Sequence, residues 1–413
     1  ETDMKAAVSA GVVCTAAAVV VYARWRRQQQ QQNRRVLVVG SINVDLYQRT
    51  DAGAVRFGGE SVDVLPLKGV TLPARSFVAH PKMATQPGIA ARYTPGEEEA
   101  FLLTMDGPFE QRTGGKGANA AAAAAQTYAC ELYGNLGDAS AAENAALTRD
   151  LAAYGAVGTQ HVRLLEGQPT GTAYILLFED NDNAIVLLGG ANQTWPAAAD
   201  LERVGGRLHC AVAQAVVVML QREVPPHVNL AAAKLGRALG VPVFMDVGGT
   251  DAPLDEDLMP YLDVVAPNES ELAFISGVET RREDGSCDLM LVRLAVAALR
   301  TKFALQGHLE VEVLVTLGAQ GSIHFGTIRE TRMGRFALHT EDGKPRDTTG
   351  AGDCYRGSYA GMRYGEGRSI SEAMRWAAAA AACSVEVEGA MPSMPSRAAI
   401  AERSTQPLLG LDD

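Results

Sequence analysis

The sequence predicts an α/β protein built on a central, mostly parallel β-sheet with helices on its faces. Short apolar runs recur along the chain, and such runs are typical of buried strands. Helical stretches separate these runs, which indicates βαβ units and therefore a parallel sheet. The runs are Val36–Gly40, Ala215–Leu220, Val241–Val247, Asp263–Ala266 and Val311–Thr316.

A second kind of strand predicts a small β-layer apart from the parallel sheet. Ala173–Phe178 and Ala184–Leu188 are apolar runs joined by the polar residues 179–183, whose sequence is EDNDN. A short polar connection of this kind indicates a β-hairpin. Two six-alanine runs, Ala120–Ala125 and Ala377–Ala382, favour helices that pack closely against their neighbours.

Composition and charge argue against several classes of protein. The 413 residues include 37 Lys and Arg against 48 Asp and Glu, which gives a formal net charge of −11. General nucleic-acid binders usually carry a basic surface, so we expect no nucleic-acid partner. The six cysteines form no CxxC pair, and the seven histidines are scattered. We therefore expect reduced thiols rather than a secreted disulfide framework or a zinc site.

Residues 1–35 predict a hydrophobic segment and a linker that precede the α/β domain. Ala6–Ala23 contains no charged residue, and as a helix it would be about 27 Å long, close to the thickness of a bilayer core. The arginines after it and around the linker Gln28–Gln32 predict that the rest of the chain stays on the cytosolic or mitochondrial matrix side. A single-pass membrane anchor is our first interpretation. A cleaved signal peptide and an organelle-targeting segment are the alternatives, and without membrane association we expect a cytoplasmic protein.

The first of two glycine-rich segments comprises residues 113–119 (TGGKGAN) and leads into the first alanine run. It is not a P-loop, because the spacing GxxxxGK[ST] is absent. Glycines allow a backbone to approach a ligand closely, and Lys116 and Asn119 supply hydrogen-bond donors. The segment therefore indicates a ligand-binding turn, with a plain helix-entry turn as the alternative.

The second glycine-rich segment comprises residues 347–353 (DTTGAGD) and also leads into a helix. Free N–H groups at a helix start form an anion site, here offered by Gly350, Ala351 and Gly352. Asp353 stands at the same helix start, where it can accept a proton. This pairing suits phosphoryl transfer to an alcohol, although a Gly-rich turn with a simple N-terminal charge is the alternative.

Taken together, the two segments resemble the two signatures of the ribokinase/phosphofructokinase-B carbohydrate kinase family. The resemblance extends from Val36 to about Pro395, which is most of the chain. It implies a ribokinase-like α/β fold with a small β-sheet lid, and ATP-dependent phosphorylation of D-ribose at the 5-hydroxyl. The main alternative substrate is 2-deoxyribose or another pentose. Mg²⁺ is the implied cofactor, ATP the co-substrate and K⁺ an activator.

The same resemblance implies a role for each candidate site residue. Asp353 matches the general base, beside an anion hole formed by residues 350–352. The sugar-binding positions match Asn43, Asp45, Gly115, Lys116, Asn119 and Glu223. The ATP-binding positions match Asn268, Thr316, Gly318 and Gly321. Glu271 matches the residue that holds Mg²⁺ through water, and Asp347, Gly389 and Ser393 match the positions tied to the monovalent cation. The residue types agree with these roles, since carboxylates accept hydrogen bonds from a polyol and hard oxygens suit Mg²⁺.

We expect a kinase domain over residues 36–400 and a C-terminal tail over 401–413. The lid is expected at about 46–112 and at 170–190, and it includes an insertion at about 50–93 relative to the family. The lid often forms the family's dimer, so the resemblance implies a homodimer through it, although the insertion puts that contact in doubt. Arg356 is a further departure, because a smaller or uncharged residue is usual at that position.

A second function stays open at this point. The hydrophobic segment 6–23 and the insertion could serve membrane association or bind partners in a membrane complex, for example a mitochondrial one. The chain would then be a catalytically reduced accessory subunit with a kinase fold. The intact set of predicted catalytic and sugar-binding residues favours the active kinase over this alternative.

Overall fold

The computed structural model describes residues 34–50, 54–57, 60–64, 71–73, 105–138, 141–154, 157–178, 183–250 and 252–410. The predicted membrane segment 6–23 and most of the 50–93 insertion lie outside these residues. Within the described part of the chain, no helix is long and apolar enough to cross a membrane.

The described chain alternates between strands and helices along most of its length. The strands are β1 (Arg35–Val39), β2 (Asn43–Arg49), β3 (Ala54–Phe57), β4 (Glu60–Asp63), β5 (Thr71–Pro73), β6 (Glu110–Gly114), β7 (Cys130–Tyr133), β8 (Asn135–Leu136), β9 (Arg163–Leu164), β10 (Gly171–Leu177), β11 (Asn183–Leu188), β12 (Ala215–Leu220), β13 (Val243–Met245), β14 (Val264–Val265), β15 (Glu312–Thr316), β16 (Ser322–Phe325) and β17 (Glu330–Met333). The helices are α1 (Lys116–Ala125), α2 (Ala141–Ala153), α3 (Ala198–Leu201), α4 (Arg207–Ala213), α5 (Pro226–Leu239), α6 (Glu269–Ser276), α7 (Leu289–Leu305), α8 (Ala351–Ala360), α9 (Ile370–Ser384) and α10 (Arg397–Ser404).

Eight strands form the central sheet, in the spatial order β17-β16-β15-β14-β13-β12-β1-β7. All pairs from β7 to β15 are parallel, and β16 and β17 add an antiparallel edge. This arrangement confirms the predicted mostly parallel sheet. Each of the five predicted runs overlaps a strand, although β13 and β14 cover only half of their runs or less.

The two faces of the central sheet carry separate hydrophobic cores, because side chains alternate along each strand. In β1, Leu37 and Val39 face one core, and Val36 and Val38 face the other. The alanine runs lie in α1 and α9, as predicted. Helices α1 and α8 pack so closely that a Cβ on Gly357 would overlap the backbone of α1. This packing fixes the beginnings of both helices at the same end of the molecule.

A second sheet of five strands, in the order β5-β11-β10-β2-β6, is called the lid sheet here. Its β10–β11 pair is the predicted antiparallel hairpin. The described part of the insertion supplies the β3–β4 hairpin and the edge strand β5. Val55, Val62 and Val64 of that region join a buried cluster with Tyr174 and Leu176 of β10. The described part of the insertion therefore packs on the lid sheet.

The expected boundary at residue 400 falls inside α10. Ser396 caps this helix, Ile400 is fully buried against the core, and the helix ends at Ser404. Farther on, Leu409 pairs with Arg335 through two backbone hydrogen bonds. The chain therefore stays packed on the domain beyond residue 400. Elsewhere, the structure has no disulfide among the five cysteines of its described residues.

Candidate active site

A cavity of about 510 Å³ lies between the carboxyl ends of the central strands and the lid sheet. In open α/β sheets, ligands bind in the crevice at this end of the strands. The beginnings of α1 and α8 also point into it. The predicted residues that line the cavity are Asn43, Asp45, Gly115, Lys116, Asn119, Glu223, Asn268, Glu271, Gly350, Gly352 and Asp353. Residues that are distant in sequence thus meet in one cleft.

Asp353 lies in the first turn of α8 and is 5% exposed. Its Oδ1 accepts a hydrogen bond from Lys116 Nζ at 3.2 Å, and its Oδ2 accepts one from Asn119 Nδ2 at 3.0 Å. The turn before α8 depends on Gly350, whose φ of 75° is in the left-handed region that favours glycine. The two glycine-rich segments therefore meet at this carboxylate.

Glu223 follows β12 and contacts the backbone end of Lys116, whereas Asp353 contacts its ammonium end. Its Oε2 accepts hydrogen bonds from Ser41 Oγ at 2.6 Å, from the Lys116 backbone N–H at 3.2 Å and from Asn43 Nδ2 at 3.4 Å. The Asn43 side chain is itself held, because its Oδ1 accepts a hydrogen bond from Asn192 Nδ2 at 2.7 Å. Three chain segments thus fix one carboxylate and one amide toward the cavity.

Asp45 lies on β2 in the lid sheet and is 3% exposed. Its Oδ1 is buried without a hydrogen-bond partner. A hydroxyl of a bound polyol could donate the missing hydrogen bond. Burial raises the pKa of Asp45 well above its usual range, and the charges of Glu223 and Asp353 add to the rise. Burial also raises the pKa of Glu223, against the opposing effects of Lys116 and Ser41. The cavity thus holds two acceptors whose ionisation a bound hydroxyl donor would favour.

Replacing Asp45 with Asn tests this buried charge. A carboxyl whose folded-state pKa is raised contributes stability at low pH that is lost as pH rises through the folded pKa. Asn does not titrate, so we expect Asp45→Asn to gain thermal stability relative to the parent protein as pH rises from about 5 to 8. The same change should weaken sugar binding about 10- to 100-fold, because a charged acceptor is lost.

Differential scanning fluorimetry of the sugar-free protein at both pH values measures the gain in stability, and calorimetric titration with sugar measures the affinity. The matched control is Asp257→Asn at an exposed position, whose effect on melting temperature should not depend on pH in this way. An Asp45→Asn melting difference that is the same at pH 5 and pH 8 would refute the buried-charge argument.

Glu271 and Asn268 lie at the beginning of α6, where they form a reciprocal capping box. Asn268 Oδ1 accepts from the Glu271 backbone N–H, and Glu271 Oε2 accepts from the Asn268 backbone N–H, both at 2.8 Å. Glu271 Oε1 and the Lys116 ammonium both lie against Gly248. The hard oxygen ligands predicted for Mg²⁺ therefore face the cleft. No group of three or more His, Cys, Asp or Glu side chains forms a metal cage among the residues that the structure describes.

The predicted nucleotide turn lies beside the cavity. Thr316, at the end of β15, pairs with Asn268 through an isolated parallel bridge. Gly318 and Gly321 have φ values of 52° and 86° and form the turn before β16. Asn268 lines the cavity, but the other three predicted ATP-binding residues do not. They lie at the carboxyl end of β15 and in the turn that follows it.

The residues predicted for a monovalent cation also come together. Asp347 is buried, and its Oδ1 and Oδ2 accept hydrogen bonds from the backbone N–H groups of Thr349 and Gly389, both at 2.8 Å. Ser393 is joined through its Oγ to the backbone oxygen of Ala390, the residue after Gly389. The three predicted positions thus lie on two loops that meet next to the turn before α8.

Two buried charged residues of the cavity region were missed or left without a role by the sequence analysis. Asp246 follows β13 as Glu223 follows β12, so its place after a buried strand was an available signal. Arg356 stood out only as a departure from the family pattern. Its guanidinium bonds Asp246 and Glu271, at 3.2 and 3.1 Å. Pairing between a residue after a strand and residues of two helices could not be seen without the fold.

Comparisons with known proteins agree with this geometry. The profile of the pfkB family carbohydrate kinases matches residues 103–397. Ribokinase from Arabidopsis thaliana is 36% identical over 293 residues, which cover 70% of each chain. Deoxyribokinase from Salmonella typhi is 28% identical over 295 residues, which cover 71% of this chain and 88% of that protein. The solved structure of Arabidopsis thaliana ribokinase complexed with ribose and ATP has a TM-score of 0.66 at 29% identity, and the match covers 91% of this chain and 99% of that one.

Proposed function

Because the chain belongs to the pfkB family of carbohydrate kinases, and is therefore an ATP-dependent carbohydrate kinase, we propose that it phosphorylates D-ribose at the 5-hydroxyl. The relatives support a ribokinase-type activity. Ribose is favoured over 2-deoxyribose because the identity to a ribokinase, 36%, exceeds the 28% identity to a deoxyribokinase.

The observation that carries the proposal is the way Lys116 spans the cavity. Its backbone N–H donates to Glu223 and its Nζ donates to Asp353, each at 3.2 Å. The lysine chain from Cα to Cε contains five carbons, as does a pentose. A pentose lying alongside Lys116 can therefore reach Glu223 with one end and Asp353 with the other, while Asp45 and Asn43 face its middle hydroxyls.

In the proposed reaction, Asp353 accepts the proton of the 5-hydroxyl as that oxygen attacks the γ-phosphorus of ATP. The bond from the γ-phosphorus to the bridging oxygen breaks, and ADP leaves. The N–H groups of residues 350–352, at the beginning of α8, donate to the charge that develops on the transferred phosphoryl group. Asn119 holds Asp353 Oδ2, which orients the base.

Glu271 and Asn268 would hold Mg²⁺ through water, since Mg²⁺ keeps several waters and prefers oxygen ligands. When bound, Mg²⁺ neutralises phosphate charge. The loops of Asp347, Gly389 and Ser393 would hold K⁺, which is supported by their meeting beside the anion-hole turn. The likeness to the family also supports the expected domain limits, with the kinase domain extended through α10. It likewise supports a homodimer through the lid sheet.

The test is ADP release by the full chain with Mg²⁺-ATP and K⁺, comparing ribose, 2-deoxyribose, fructose and adenosine. We expect ribose to give the highest kcat/KM. A site that hydrogen-bonds a hydroxyl rejects an analogue without it by as much as about 10⁴-fold, because its polar groups stay unpaired. Higher kcat/KM with 2-deoxyribose would overturn the substrate assignment. A folded protein that binds ATP but turns over no sugar would favour the accessory-subunit alternative.

A further inference from the structure

A buried ion-pair network joins the sugar side of the cavity to its phosphate side. Asp246 and Arg356 are 5% and 3% exposed. Asp246 Oδ2 accepts hydrogen bonds from both Lys116 Nζ and Arg356 Nη1, each at 3.2 Å. Asp246 Oδ1 accepts a hydrogen bond from the Gly248 backbone N–H at 2.9 Å. Two cations from different helices therefore converge on one oxygen of a buried carboxylate.

The Arg356 guanidinium is fixed on three sides. Its Nε donates to the backbone oxygen of Ala266 at 2.8 Å, and its Nη2 donates to Glu271 Oε2 at 3.1 Å. Nη1 lies against Gly352, where an added Cβ would be 2.6 Å away. The Arg356 guanidinium therefore lies beside the backbone amides that, in the proposed function, donate to the transferred phosphoryl group.

The charges in this network depend on one another. Although burial opposes ionisation, the Arg356 and Lys116 cations lower the pKa of Asp246. Burial also opposes the charge of Lys116, but Asp246 and Asp353 raise the pKa of that ammonium. Lys116 is therefore shared between a carboxylate that faces the substrate and one that does not react.

We propose that Asp246 and Arg356 are positioning residues for phosphoryl transfer, which hold the Lys116 ammonium midway between Asp246 and Asp353. This inference rests on the proposed function, in which Asp353 is the base. Asp246 attracts Lys116 away from Asp353, and Arg356 limits that attraction by neutralising Asp246. The pair thereby sets how strongly the Lys116 ammonium hydrogen-bonds to Asp353 Oδ1, the oxygen that must receive the proton.

The two residues act in opposite directions on Lys116, which makes the double variant informative. Three carboxylates (Asp246, Glu271 and Asp353) and two cations (Lys116 and Arg356) give the network a formal charge of 2 − 3 = −1. Asp246→Asn changes this charge to 0, and Asp353 is then the only carboxylate that forms an ion pair with Lys116 in this network. Arg356→Met changes the charge to −2, and Asp246 then attracts Lys116 more strongly because no guanidinium neutralises it. The double variant restores −1.

The experiment measures kcat, the KM for ribose and the ribose dissociation constant of the full chain, the last by calorimetry without ATP. We expect each single variant to lower kcat about 10- to 100-fold, as is usual when a supporting residue of a reactive group is removed. The ribose dissociation constant should change less than about threefold, because the sugar ligands are untouched. The double variant should have a higher kcat than either single variant. Arg356→Lys should recover part of the loss, since it keeps the charge but not the three-sided contact.

Arg403→Met is the matched control, because Arg403 is 4% exposed and pairs in the same way with Glu386 and a backbone oxygen. It should lower the melting temperature without lowering kcat in the soluble fraction. Single variants with parental kcat, or losses of kcat that simply multiply in the double variant, would overturn the positioning role. Those results require a parent enzyme that turns over sugar. A parent without turnover would overturn the proposed function and this inference together.

Discussion

Asp353→Asn is expected to lower kcat for ribose phosphorylation by about 100- to 10,000-fold, the range that a general base contributes. The amide that replaces the carboxylate cannot take up the proton of the 5-hydroxyl. It still accepts a hydrogen bond from Lys116 Nζ, so the fold and the sugar site should persist. Steady-state kinetics with ribose and Mg²⁺-ATP measure the loss, and calorimetry should find ribose binding within about threefold of the parent value.

Asp288→Asn is the matched control for this prediction. Asp288 also stands at a helix beginning, where its carboxylate caps α7 by accepting from the Met290 backbone N–H at 2.7 Å. Its loss removes a negative charge from a helix beginning but no proposed catalytic group, so kcat should stay near the parent value. An Asp353→Asn enzyme with near-parental kcat would show that another group removes the proton.

Gly114→Ala is expected to abolish tight sugar binding, with the second largest effect. The φ of Gly114 is not in the left-handed region, so backbone conformation does not require glycine here. A Cβ at this position would, however, overlap the carboxylate of Asp45. Asp45 would have to leave its buried place on β2. We expect the ribose dissociation constant to rise about 100-fold, since charged hydrogen bonds contribute about 1.5–3 kcal/mol each. Overpacking should also cost about 1–3 kcal/mol of stability.

The combined variant Gly114→Ala/Asp45→Ala separates the two effects. Removing the Asp45 carboxylate makes room for the new methyl group, so thermal stability should recover relative to Gly114→Ala. Ribose binding should stay weak, because the acceptor is now missing. If Gly114→Ala bound ribose as tightly as the parent in calorimetric titrations, the assignment of Asp45 as a sugar ligand would be wrong.

Local sequence patterns predicted most of the fold because they report burial directly. Val36–Gly40 and Ala215–Leu220 lie in or next to strands whose side chains fill both cores. The run Val241–Val247 was too long, since the strand β13 covers only Val243–Met245. Pro242 has no N–H for the sheet ladder, and Asp246 uses its carboxylate to pair with Lys116 and Arg356.

The residues predicted for the candidate site came from motifs, and the structure brings the sugar-side and base residues together in one cavity. Asp246 and Arg356 could not be assigned in this way, because their significance lies in contacts between β13, α1, α6 and α8 rather than in a local motif. The helix that crosses residue 400 was not predicted for a related reason. The burial of Ile400 depends on packing against the core, which a single large apolar side chain in the sequence RAAIAERS does not reveal.

The position of the phosphate on the product tests the central claim most directly. The full chain is incubated with ribose, Mg²⁺-ATP and K⁺, and the product is analysed by ³¹P and ¹³C nuclear magnetic resonance. The account predicts one sugar phosphate, with phosphorus coupled to C5 of ribose, and its formation about 100- to 10,000-fold more slowly by the Asp353→Asn variant. A phosphate on another carbon, or the same yield of product from Asp353→Asn, would contradict the proposed alignment of the 5-hydroxyl with Asp353.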